Sequence, residues 1–132
     1  MRHLKVAIAI ASLITAVGCP DGGTVVKDPT GPNVQEIFTA RCALAGCHDG
    51  STSFPPLVDP SHSDIVGVAS QVVPTMNLVE PGNADQSYLY HKIAGTFGDV
   101  GGAGSPMPLS GGPLATEDVD LIEAWIEAGA PQ

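Results

Sequence analysis

From residue 33 onward, apolar side chains return at intervals of three and four. That is the period of a helix face, not of a half-buried strand. Val34, Ile37, Phe38, Cys42 and Ala45 form the first stripe. Asn33 ahead of it, with Glu36 three residues on, has the pattern of a capping box, and Gly46 is placed to end it. Leu89, Ile93 and Phe97 follow four-residue spacing behind Asn83 and Asp85, either of which can cap a middle helix; Gly95 and Gly98 weaken its end. Val119, Ile122 and Ile126, widened by Leu121 and Trp125, form the last stripe. Thr116 caps it, Glu117, Asp118 and Asp120 suit its positive end, and Gly129 is a fitting stop. Between the first two stripes, Pro55, Pro56, Pro60, Pro74 and Pro81 break the chain repeatedly, and residues 64–70 read as one helical turn or a short extended piece. No segment alternates convincingly and no repeat is visible. The pattern predicts an all-α domain of three or four short helices joined by Pro/Gly loops.

The start of the chain follows a different rule. Arg2, His3 and Lys5 precede residues 6–17, which are apolar or small apart from Ser12 and Thr15. This run is too short for a membrane span, which needs about 20 apolar residues, and fits a secretory signal over residues 1–18. It ends Ala16-Val17-Gly18-Cys19, which resembles a bacterial lipobox with Ala16 in place of the usual leucine. On that reading Cys19 carries a lipid, the chain's single membrane attachment; the alternative is a plain signal peptide with an incidental cysteine. Residues 20–32, with three glycines and three prolines, read as a tether, so that 19–32 is a lipidated, flexible linker and 33–132 the folded domain.

Composition narrows the partners. Outside the leader the chain carries 3 basic and 14 acidic side chains, a formal balance of −11. Nucleic acid, which needs a basic face, is excluded. A partner with a basic docking surface is favoured, although acidity also serves solubility alone. Aromatic residues make up 5% of the chain, while Gly and Pro number 16 and 12. A small chain of this kind has little core of its own, and a large flat apolar group would supply one.

The chemistry is concentrated in residues 42–48, Cys-Ala-Leu-Ala-Gly-Cys-His. The C-x-x-C-H signature attaches haem, the two thiols adding to the vinyl groups and the histidine binding iron. Here it is widened to C-x4-C-H. The two extra residues must bulge, or Cys42 must sit half a turn earlier on its helix, so attachment through Cys47 alone is an open alternative. His48, tied to its anchor, is the proximal ligand. A thioether as sixth ligand favours ferrous iron, and Met107, 59 residues later between Pro106 and Pro108, is the best placed. Met76 is its main rival, followed by His91, assigned to a polar face, and His62. No G-x-S-x-G setting or phosphate loop is present.

These residues give the chain its resemblance to a family. Cys42, Cys47 and His48 on a first helix, Pro81-Gly82 ahead of Ser87-Tyr88-Leu89, and Met107-Pro108 ahead of Trp125-Ile126-Glu127-Ala128-Gly129-Ala130 are similar to the class I cytochromes c, as found in bacterial lipoproteins. The resemblance spans roughly residues 33–130 and departs from the pattern at the C-x4-C gap. It implies helices folded around haem c, with first and last helices crossing near Phe38 and Trp125. It also implies a backbone carbonyl from a proline loop, here that of Pro55 with Leu57 two residues on, orienting His48. The implied role is single-electron transfer in the periplasm-facing cell envelope, as a carrier and not an enzyme, or as the haem subunit of a larger oxidoreductase system. Two other readings share the residues. One is a copper module using Cys42, Cys47, His48 and a methionine, soft ligands that suit Cu(I). The other is a cofactor-free interaction lipoprotein stapled by a Cys42–Cys47 disulfide.

Overall fold

The computed structural model describes residues 27–132; the leader and Cys19 lie outside the described residues. Among the described residues there are four α-helices, α1 (Gly31–Arg41), α2 (His62–Ile65), α3 (Tyr88–Ala94) and α4 (Thr116–Glu127). No strand forms among them: Val66 with Val79, Ala69 with Asn77 and Asn77 with Ser87 make isolated bridges. The domain is helix-rich, as the apolar spacing predicts. None of these helices is long and apolar enough to cross a membrane.

α1 begins at Gly31, inside the stretch assigned to the tether. Pro32 accounts for the shift, because a proline in the first helical turn forfeits no hydrogen bond and its fixed φ favours entry. The capping box does not form. Asn33 Nδ2 donates to the carbonyl of Asp28 at 2.9 Å, and Glu36 pairs with Lys27 at 2.6 Å. Gly31 is needed for packing: a Cβ there would lie 2.6 Å from the backbone of Gln132 and 2.7 Å from the carbonyl oxygen of Pro131. The end of the chain thus closes over the start of α1.

α1 also stops early, at Arg41 rather than Gly46. The N–H groups of Cys42 and Ala43 both donate to the carbonyl of Phe38, each at 2.8 Å. The ladder slips there from one partner to the next, and the chain leaves the helix at Cys42.

Val34, Ile37 and Phe38 of α1 are buried, as are Leu121, Ile122, Trp125 and Ile126 of α4, and the two helices pack together. Phe38 and Trp125 are each 2% exposed; burying side chains of this kind contributes roughly 1.5–3 kcal/mol apiece. The indole N–H of Trp125 donates to Pro131 at 2.7 Å, so the largest core side chain leaves no buried donor unmet. Gln35, on the other flank of α1, fastens the irregular segment after the first helix. Its Nε2 donates to Leu57 O at 3.0 Å, and its Oε1 accepts from Ser61 N–H and Oγ–H at 3.0 and 2.7 Å.

The middle helix is divided. Asn83 does cap, accepting from Gln86 N–H at 3.1 Å, but what it caps is a 3₁₀ turn, Ala84–Gln86. Ser87 then interrupts: its buried hydroxyl donates to Asn83 O and accepts from Glu80 N–H, both at 2.8 Å. Such local bonds compete with the helical ladder, and α3 starts afresh at Tyr88. It ends at Gly95, whose φ of 78° makes the left-handed stop; Phe97 falls in the next 3₁₀ turn (Phe97–Val100). α4 runs close to expectation, with Thr116 as its first residue instead of its cap.

Candidate functional site

The widened cysteine loop keeps its ends together. Cys42 O accepts from His48 N–H at 3.1 Å, and Leu44 O accepts from Cys47 N–H at 2.8 Å. Gly46 turns the chain with φ of 80°, a conformation that favours glycine. The two additional residues are taken up as a tight turn that carries Leu44 to the surface, 43% exposed. Of the two geometries open to the sequence, the bulge is the one observed, and Cys42 sits at the C-cap of α1.

Asp49 braces this turn. Its carboxylate accepts from the backbone N–H groups of Gly46, Ser51 and Thr52, each at 3.0 Å, and from the hydroxyls of Ser51 and Thr52 at 3.0 and 3.3 Å. The amides of Ser51 and Gly46, with these hydroxyls, hold the carboxyl well below the usual carboxylate range.

His48 is fixed by the segment that follows. Its Nδ1 lies 2.7 Å from the carbonyl oxygen of Pro55, and its own carbonyl accepts from Leu57 N–H at 3.0 Å. A carbonyl can only accept, so the proton resides on Nδ1 and the lone pair on Nε2 is left for a metal.

Cys42, Cys47, His48, Pro55 and Met107 all line one cavity of about 370 Å³, a size typical of ligand sites. Its walls are mainly apolar, with Phe38, Leu57, Leu78, Leu89 and Ile93 among them. The charged side chains that line it are Arg41 and Lys92, and no carboxylate does, although acidic residues dominate the chain. Both cysteines are free. Burial pushes the Cys42 thiol up to about 11, with Arg41 drawing it partly back. It therefore remains protonated at neutral pH.

The rival ligands are otherwise engaged. Met76 is buried in the core and does not line the cavity. His91 is not on a polar face: it is 8% exposed, with Nδ1 2.7 Å from Thr96 Oγ1 and Nε2 3.0 Å from Asp85 O. His62 Nε2 lies 2.8 Å from Ala130 O, and its ring stands edge-on to Trp125 at 6.4 Å.

Three residues at the site escape a reading of the sequence: Asp49, Arg41 and Lys92. For the two cations a signal exists, since they are two of just three basic residues outside the leader. Tyr88 carries a different message. Its hydroxyl is buried beside Gly102 without a hydrogen-bond partner, although the residue contributes to the cavity wall. An unmet buried donor costs about 1–3 kcal/mol. Two thiols, one imidazole with its Nδ1 engaged, one thioether and mainly apolar walls are a donor set that an iron porphyrin would fit.

Comparison with protein-family models, with curated proteins and with solved structures gives no match.

Proposed function

We propose that this chain is a haem c-binding electron carrier of the class I cytochrome c type, held on the periplasm-facing bacterial envelope by a lipid on Cys19. One observation carries the reading. Side chains from two distant segments, 42–48 and 107, meet on a single apolar cavity, with His48 Nδ1 already engaged by Pro55.

In this reading Cys42 and Cys47 would hold the porphyrin covalently, and His48 and Met107 would bind its iron. The bound group supplies one-electron exchange without any bond to a substrate. The protein's part is to keep the ligands fixed in both oxidation states and to exclude water. The His48–Pro55 bond fixes the imidazole and raises its basicity. The thioether of Met107 favours the ferrous state. Helices α1 and α3 would pack against the group, which would make up for the scarcity of aromatic core residues. The tether and lipid let the domain search for redox partners near the membrane. The acidic surface attracts a partner with a basic docking face, giving an on-rate that falls with salt.

The test is to produce the chain in a host with a cytochrome-maturation system, denature it and stain for haem. A coloured band that survives denaturation is the expected result, and the haemochrome spectrum then distinguishes one thioether from two. A colourless domain containing copper supports the copper module, and a metal-free Cys42–Cys47 disulfide the interaction lipoprotein; either overturns the haem reading. Met107→Ala should keep the haem and lose the long-wavelength sulfur-to-iron band of the ferric protein.

A further inference from the structure

The segment that carries Met107 has no regular secondary structure between the 3₁₀ turn at Phe97–Val100 and α4, so its carbonyls depend on side chains or water. Two cations meet them. On one flank, Lys92 Nζ donates to Ala103 O at 3.2 Å and to Ser105 O at 2.5 Å. The ammonium also stands 4.2 Å from the centroid of the Phe97 ring, and Lys92 O accepts from Met107 N–H at 2.9 Å. On the other flank, Arg41 Nη2 reaches Gly111 O and Gly112 O, both at 3.2 Å, and Pro113 O at 3.4 Å.

Neither cation pairs with a carboxylate among the described residues, whereas Lys27 does. Carboxylates are abundant in this chain, so the choice of backbone carbonyls is a specific one. Lys92 extends from α3 and Arg41 from the last residue of α1. The strap is therefore tied to two different helices, ahead of Met107 and behind it. Partial removal of Lys92 from water lowers its pKa, in keeping with an ammonium held against the strap.

We infer that Arg41 and Lys92 are positioning residues that hold Met107 on the iron and govern how readily the strap lifts to admit a small exogenous ligand. The inference rests on the haem reading of the cavity. Met107 would be withdrawn when the strap moves, and the strap would move when its carbonyls lose their donors. Affinity for a competing ligand equals its intrinsic affinity multiplied by the fraction of open strap.

The experiment titrates the ferric, haem-loaded full chain with imidazole. Arg41→Met and Lys92→Met keep an apolar stem and lose the donors. Each should tighten imidazole binding roughly tenfold, the double variant more, and Met107→Ala sets the upper limit. Lys92→Gln, which retains one donor group, should fall between wild type and Lys92→Met, and it serves where the methionine variant does not fold. A role confined to stability would lower the melting temperature and leave imidazole affinity unchanged. Unchanged affinity in Lys92→Gln and Arg41→Met, with the sulfur-to-iron band intact, overturns the inference alone. A wild-type chain that acquires no covalent haem overturns the reading beneath it as well.

Discussion

The loop around His48 and the strap around Met107 are both irregular, glycine-containing segments on one cavity, yet they are built in opposite ways. The His48 loop is closed by its neighbours in sequence. Asp49 accepts from residues within three positions of itself, and Pro55 lies seven from the imidazole it meets. The strap is held from a distance, by Arg41 some 70 positions away and by Lys92 across 11 to 13. A locally closed loop can take shape before the domain does, because its closure entropy is small. The strap has no geometry until α1 and α3 are in place. If the cavity works as proposed, one ligand is preformed and the other is conditional on the fold.

Four substitutions break or sharpen this contrast. The largest effect should come from His48→Ala, which removes the proposed iron ligand that the local loop carries. Covalent haem should fall at least tenfold on a haem-stained denaturing gel, whereas Met107→Ala retains it. Equal losses from both would end the distinction between a preformed and a conditional ligand. Next is Gly102→Ala. The new methyl would lie 2.6 Å from Phe97 O and 2.7 Å from Tyr88 Oη, an overpacking that costs about 1–3 kcal/mol. Denaturant unfolding should show that loss. Amide exchange should rise along residues 101–107 and stay unchanged at Gly46 and Ser51.

Asp49→Ala is the converse and a smaller change. It should deprotect the amides of Gly46, Ser51 and Thr52 without altering the strap, as read by hydrogen exchange; exchange that spreads to 103–113 would show that the two segments are coupled. The smallest effect lies in the helical frame, away from both. Burial, with the carboxylates of Glu123, Asp85 and Asp120, raises the pKa of Tyr90. A phenol with a raised folded pKa contributes stability that is complete below its ordinary value of about 10 and is lost as pH rises through the folded value. Tyr90→Phe should flatten the fall in stability above pH 10, with neither segment changed at pH 7.

Much of the helical frame could be read in advance because it depends on short-range periodicity. The stripe of Val119, Ile122, Trp125 and Ile126 gives α4 nearly to the residue. The errors fell where competition between local bonds decides the outcome. Cys42 and Ala43 share one carbonyl and end α1 early, and Ser87 divides what looked like one middle helix. Neither event leaves a mark in apolar spacing. At the site, Cys42, Cys47, His48, Pro55 and Met107 were identifiable by type and order. Asp49, Arg41 and Lys92 were not, since a charged side chain has no role until its neighbours are known.

Sequence alone determined a helix-rich domain and the candidate donors of the cysteine loop, because helix faces and the Cys-Cys-His order are encoded within a few residues of one another. Tertiary structure alone decided that Met107, ranked ahead of Met76 by its place in the sequence, lines one cavity with those cysteines while Met76 does not, and that the two cations would serve carbonyls instead of carboxylates. Those choices depend on which side chains reach one another after α1, α3 and α4 pack, a property of the whole chain that no local window contains.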